Sequence, residues 1–401
     1  MRILFLAPGL PHPPHQGTAL RNWGLISNLA QRHDIWLLSF TFADEEITDE
    51  LNAACQKIGI VPRPTRSTLS RVLTLVGSKQ PDLSRRLASS DFDIQLRTWL
   101  KSTKFDVVQI EGLEMGPFAD TVRTMAPHTS IVYDAHNAET LIQQRAFDID
   151  ARQLKRWPHA VYSRLQLPRL RRFEERVCST ADSVLCVSPV DQTTLNSNAP
   201  GIQAVLVPNG IELADYGPAS IKSGLPQNAI VFSGKMDYRP NVDAVHWFGQ
   251  NIFPHVRQEV RSARFFIVGK NPTPAVLNLG EREGITVTGA VPDVRPYVAG
   301  ATVFVVPVRM GGGTRFKILE ALALQRAVVS TPIGAEGFGV LSGHELELAE
   351  SEADFSRTVV DLISDSERRT QLGEAGRRFV AASYDWRIII PAVEEVYARV
   401  R

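Results

Sequence analysis

The chain has 401 residues, is 44% hydrophobic and 22% charged, and carries a formal net charge of +1. That balance excludes a disordered or low-complexity protein and gives no global charge for holding nucleic acid. At this length two domains are expected rather than a single core.

The first element, MRILFLA, reads as a strand. Its apolar run ends at Pro8 and is too short for a signal-peptide core. Further strands are expected at 35–41, 106–111, 130–135 and 183–187, with a helix of 3.6-residue period over 19–32. His12 and His15 resemble a metal pair only by letter, because Pro13 and Pro14 fix an extended loop, and no metal site is expected. Segment 152–176 carries eight Lys/Arg against two acids, interleaved with Trp157, Tyr162, Leu165, Leu167, Leu170 and Phe173. Its plain reading is a solvated helix; its functional reading is a basic amphipathic face for anionic lipid. A second such candidate spans 69–87, with Leu73, Leu75 and Val76 near Arg71, Lys79, Arg85 and Arg86.

After Leu206 the pattern restarts. Strands are expected at 229–233, 264–268, 285–288, 302–306 and 327–330, with helices at 242–256, 294–299 and 314–324. Continuous Val/Ile/Phe runs mark strands covered on both faces, so two parallel, doubly wound sheets are expected. The first domain is expected over 1–204 and the second over 205–384, with a last helix, 385–401, returning to the first. Cys55, Cys178 and Cys186 form no metal-like or redox-like pair and suit a reducing cytosol. No window reaches the length of about eighteen apolar residues that a spanning helix needs. A cytoplasmic protein is expected, with attachment to the inner face of a membrane left open.

The most informative stretch is 303–339. Gly311, Gly312 and Gly313 run into a helix whose first turn carries Thr314, Arg315 and Lys317. Glycine lets a backbone approach a ligand, and a helix N-terminus attracts an anion. Two cations in that turn oppose the helix dipole, and a bound pyrophosphate is the simplest reason for them. Glu320, one turn on, can accept both hydroxyls of a ribose. Further candidate residues follow predicted strands, where doubly wound sheets hold ligands. They are Gly17, His136, Asn137, Gly234, Lys235, Arg239 and Gly269.

VPNGI at 207–211, FSGKMDYRPNV at 232–242, the stretch 264–291 and GGTRFKILEALA from Gly312 onward resemble the GT-B glycosyltransferases of family 4. The variant is similar to a subgroup found in bacterial exopolysaccharide clusters. The resemblance implies two Rossmann-like domains facing a central cleft. It also implies retaining transfer of a sugar from a nucleotide sugar to a glycan or lipid-linked acceptor, with no metal and no cofactor. It gives catalytic roles to His136, Lys235 and Lys317. Donor contacts fall on Gly17, Gly234, Arg239, Gly269, Val291, Gly311, Gly312, Gly313, Thr314, Arg315 and Glu320.

Two departures stand out. Pro240 occupies the place of the family's second cation, with Arg239 beside it, and Gly312 replaces the first of two glutamates. Two other readings stay open: a nucleotide-sugar 2-epimerase, with Glu111, Asp134 and Glu139 as candidate acid/base groups, and a non-catalytic nucleotide-sugar-binding protein. A dehydrogenase is disfavoured because the first strand-end loop lacks G-x-G-x-x-G.

Overall fold

The computed structural model describes residues 1–14, 17–42, 45–67, 78–152, 156–217 and 221–401. The chain forms two compact units, Met1–Gly210 with Trp386–Arg401, and Ile211–Asp385.

The first unit is built on a seven-stranded parallel sheet of order β3-β2-β1-β4-β5-β6-β7. Its strands are β1 Arg2–Ala7, β2 Asp34–Thr41, β3 Lys57–Pro62, β4 Val107–Glu111, β5 Ser130–Ala135, β6 Ser183–Cys186 and β7 Val205–Leu206. In β1 every residue after Arg2 is buried, and β4 and β5 are buried throughout. That is why they lack the alternation of a half-exposed strand. Edge strand β3, KIGIVP, has one buried residue and is interrupted by Gly59 and Pro62, so the sequence gives no apolar run to find. β7 pairs with β6, which assigns Val205 and Leu206 to the first sheet and moves the boundary from 204/205 to 210/211.

The last helix, Trp386–Val400, packs in the first unit. Its Trp386, Ile389, Ile390, Val393, Val396 and Tyr397 share a buried cluster with Ile3, Phe5, Leu25 and Ile26. Each fully buried side chain of this kind contributes about 1.5–3 kcal/mol. A Cβ on Gly24 would lie 2.1 Å from the Trp386 ring, so the missing side chain there is what seats the indole.

The second unit has a six-stranded parallel sheet of order β10-β9-β8-β11-β12-β13. Its strands are β8 Ala229–Ser233, β9 Arg264–Val268, β10 Ile285–Gly289, β11 Val303–Val306, β12 Val328–Ser330 and β13 Glu347–Leu348. The helix expected at 242–256 is instead Arg239–Trp247, a π-helical turn Phe248–Ile252, and Phe253–Glu259. Pro240 and Pro254 stand in the first turns of the two α-helical pieces, where a missing N–H costs nothing. The helix expected at 314–324 runs Phe316–Ala323, so Thr314 lies in the loop and Arg315 is the N-cap residue.

Strand order reverses between β1 and β4 in one sheet and between β8 and β11 in the other. Ligands of open α/β sheets bind at such points, beyond the carboxyl ends of the strands.

Candidate active site

In the second unit the β8 end, the β9 end and the loop after β11 converge. Gly234 and Gly269 adopt φ of 152° and 150°. A Cβ on Gly269 would fall 1.8 Å from the Gly234 carbonyl oxygen, so the two loops touch backbone to backbone. A Cβ on Gly234 would sit 2.9 Å from Lys317 Nζ. Lys317 therefore lies against the end of β8. It donates to Asn241 Oδ1 at 3.0 Å and sits 3.8 Å from the Phe232 ring centroid. Asn241 Nδ2 donates to the Lys235 carbonyl at 2.9 Å, tying helix Phe316–Ala323 to the β8 loop. Burial, then the like charge of Arg315, lowers the Lys317 pKa to about 7 against the pull of Glu320. An ammonium held at this cost is poised to gain from an anion.

Glu320 accepts from the Tyr216 hydroxyl at 3.1 Å. Burial raises its pKa, while Tyr216, Lys317 and Arg295 favour its charged form. Arg295 is held by Asp293 at 3.0 Å. Tyr216, Arg295 and Asp293 are absent from the sequence-derived set, because they stand outside the glycine loops and no spacing marks them.

The other expected residues divide. Lys235 is half-exposed and pairs with Asp237 at 3.4 Å, and Asp237 accepts from Asn271 at 3.2 Å. Arg315 folds back on its own loop, donating to the carbonyls of Gly312 and Gly313. It braces the loop with the cation expected to face a ligand from the first helical turn. Gly311 and Gly313 take φ of 107° and 74°, which keeps that loop open to glycine alone. Arg239 opens helix Arg239–Trp247, and half-buried Val291 follows β10 against the core.

In the first unit a hollow of about 70 Å³ opens at the ends of β1, β4 and β5. Glu111, Glu114, His136, Asn137 and Glu139 line it, with Thr18 from the helix that begins at Gly17. Behind it is a buried network. Arg21 makes two 2.8 Å hydrogen bonds to Asp134 and donates to the carbonyls of Val207 and Pro208 at 3.1 Å. His136 Nε2 lies 2.8 Å from Glu111 Oε2, and Gln109 Nε2 donates to Glu111 Oε1 at 2.6 Å. With its amide oriented by this network, Asn22 also donates to Glu111, at 2.8 Å.

Burial opposes a charged imidazole, but the Glu111 hydrogen bond and the charge of Asp134 raise the His136 pKa. Burial, then the charge of Asp134, raises that of Glu111. Burial, with Glu114 and Glu174, pushes the Glu139 carboxyl up to about 7.

Oxygen and nitrogen atoms of Glu111, Asp134 and His136 lie within 4.8 Å of one another. Arg21 and the imidazole already answer those carboxylates, so a metal ion would have to displace a buried guanidinium. The hollow is also poorly made for an anion. The first N–H groups of helix Glu139–Ala151 are capped by the chain's own Asp191, at 2.8 Å from Ala138 N, and Glu174, at 2.8 Å from Glu139 N.

Helix Trp157–Thr180 buries Leu170 and Phe173 and exposes Trp157, Val161 and Leu165, one turn apart, beside exposed Arg164, Arg171 and Arg172. Leu73, Leu75, Val76 and Arg71 of the second basic segment, Lys155 of the first, and His15 lie outside the described residues. Among the described residues no helix is long and apolar enough to cross a membrane.

Two Rossmann-like parallel sheets, each with its polar residues at the switch point, define a GT-B architecture. Solved structures agree. Sucrose-phosphate synthase from Thermosynechococcus elongatus superposes with a TM-score of 0.74 at 15% identity, over 100% of this chain and 99% of that one. An Anabaena protein in complex with UDP-glucose gives a TM-score of 0.66 at 13% identity over the whole of both chains. Family models match in sequence: "Glycosyltransferase Family 4" over residues 16–215 and "Glycosyl transferases group 1" over residues 227–365. The chain belongs to the group 1, family 4 glycosyltransferases.

Among curated relatives, a phosphatidyl-myo-inositol mannosyltransferase of Propionibacterium freudenreichii is 25% identical, over 76% of this chain and 73% of that protein. An uncharacterised 44.6 kDa protein in the cps region of Klebsiella pneumoniae is 22% identical, over 41% of this chain. That match spans 44% of the Klebsiella protein, under half its length.

Proposed function

We propose that this glycosyltransferase moves a sugar, with retention and without a metal, from a nucleotide sugar to a hydroxyl of a glycan or lipid-linked acceptor in polysaccharide or glycolipid synthesis. The second unit holds the donor and the first receives the acceptor. One observation carries the reading: Lys317 rests against Gly234 and Asn241 at the end of β8, one helical turn before Glu320. The residue from the helix puts an ammonium beside the β8 loop, where Pro240 leaves the family's second cation missing. Charge grows on the leaving β-phosphate as the glycosidic bond breaks, and a preorganised ammonium with loop N–H groups stabilises it. Glu320, fixed by Tyr216, takes the ribose hydroxyls.

The reading is supported by the bound UDP-glucose of the Anabaena neighbour and by the Klebsiella relative's cps region. A thermal-shift panel of UDP-, GDP-, ADP- and dTDP-sugars, with and without Mg²⁺, tests it. At a hundred times its dissociation constant a ligand adds about 2.7 kcal/mol. Stabilisation by one nucleotide family without Mg²⁺, lost in Glu320→Ala, is expected; no shift with any of them refutes the donor site.

The exposed Trp157, Val161 and Leu165 beside Arg164, Arg171 and Arg172 fit an anionic membrane surface, which would bring a lipid-linked acceptor near. Wild type is expected to float with phosphatidylserine-containing vesicles at physiological salt, and Trp157→Ser with Leu165→Ser is not. No flotation of the wild type refutes docking.

A further inference from the structure

The network behind His136 extends to the C-terminal helix. Tyr397, in helix Trp386–Val400, is fully buried, and its hydroxyl meets Gln109 Oε1. Gln109 Nε2 meets Glu111 Oε1 at 2.6 Å, and Glu111 Oε2 meets His136 Nε2 at 2.8 Å. Tyr397, Gln109 and Glu111 are each 0% exposed, so water cannot replace a missing link.

The direction of every hydrogen bond follows from one group. Glu111 takes bonds from Gln109 and Asn22, and an ionised carboxylate only accepts. Gln109 must therefore turn its NH₂ to Glu111 and its carbonyl to Tyr397. Turned the other way, it would set two oxygens against each other across 2.6 Å. Tyr397 must donate. At the other end His136 must donate through Nε2, which in the neutral ring leaves Nδ1 as an acceptor. Nδ1 faces Gly112, where an added Cβ would lie 3.6 Å away, on the wall of the hollow.

We propose that Tyr397 is a positioning residue for His136: through Gln109 and Glu111 it holds the imidazole in the Nε2–H form, with Nδ1 free to accept a hydrogen bond from a sugar hydroxyl. The hydroxyl rests on the function proposed above; the tautomer does not. Tyr397 stands in the helix that closes the chain onto the first unit, so docking of that helix and the state of the imidazole become one event. The other charged groups acting on His136 are Asp134, Arg21 and Glu139, and none is altered in the test.

The test is ¹H–¹⁵N multiple-bond NMR of the full chain with labelled histidine, free of nucleotide and acceptor, over a pH series. His136 is assigned by difference from His136→Gln. In the wild type, the neutral ring is expected to carry its proton on Nε2. Tyr397→Phe frees the Gln109 amide and weakens its support of ionised Glu111, so the Glu111–His136 pair holds its proton more tightly. The titration is expected to move up by about half a pH unit or more, with a visible Nδ1–H population. Gln109→Met, which breaks both links, is expected to move it further.

Melting curves show which variants are folded, and the wild-type tautomer alone tests the assignment if neither variant is. A wild-type Nδ1–H ring, or an unchanged titration in both folded variants, overturns the proposal. Failure of nucleotide-sugar binding would overturn the donor reading and leave these spectra unaffected.

Discussion

Raising the pH from 7 to 8.5 is expected to weaken nucleoside diphosphate binding about fifteenfold through Lys317. Its free pKa of about 7 comes from burial and the nearby charge of Arg315, opposed by Glu320. A diphosphate beside the ammonium restores the charged form, so binding takes up a proton. The sign is fixed by the direction of the shift: affinity is full below pH 7 and falls as pH rises through it. With a bound pKa well above 9, the apparent constant scales with the protonated fraction of the free site, about one half at pH 7 and about 3% at pH 8.5. The phosphates titrate near pH 6, below this window.

Isothermal titration with UDP at both pH values, in buffers of different ionisation enthalpy, measures affinity and protons together. Uptake of about half a proton at pH 7 and nearly one at pH 8.5 is expected. Lys317→Arg, always charged, is expected to flatten the profile. Equal affinity at both pH values in the wild type, or the same slope in Lys317→Arg, would refute the reasoning.

Three further outcomes follow from the packing. Glu320→Gln removes a charged acceptor from the ribose site and is expected to weaken UDP by about 1.5–3 kcal/mol, roughly ten- to hundredfold, while Tyr216→Phe costs less; calorimetry reads both. Gly269→Ala drives a Cβ to 1.8 Å from the Gly234 carbonyl at a φ of 150°, and a loss of stability of more than about 2 kcal/mol is expected in denaturant unfolding. Arg21→Met leaves Asp134 buried and uncompensated and is expected to cost about 3–5 kcal/mol. Adding Asp134→Leu is expected to recover part of that loss, as a double-mutant unfolding cycle would show.

What the sequence determined by itself is what repeats or clusters along the chain. Strands β1, β8 and β11 declare themselves because burial on both faces demands nearly unbroken apolar runs, and glycines after them mark where a ligand can approach. The Pro208-Asn209-Gly210 turn and the restart of strand and helix give two sheets. Edge strands β3 and β13 escape notice, since an edge needs no apolar run: β3 buries one residue and half-buries two, and β13 half-buries its two.

Only tertiary structure decided which polar side chains meet. Lys317 reaches the β8 loop across 76 positions of sequence to Asn241, and Tyr216 reaches Glu320 across 104. The last helix joins His136 through Tyr397 and Gln109, 288 positions apart. Arg315, read in sequence as a cation for a bound pyrophosphate, donates to the carbonyls of its own loop. Spacing reports neighbours on one helix or at one strand end. A hydrogen bond between distant elements depends on how sheets and helices stack, and burial then fixes its strength and its direction.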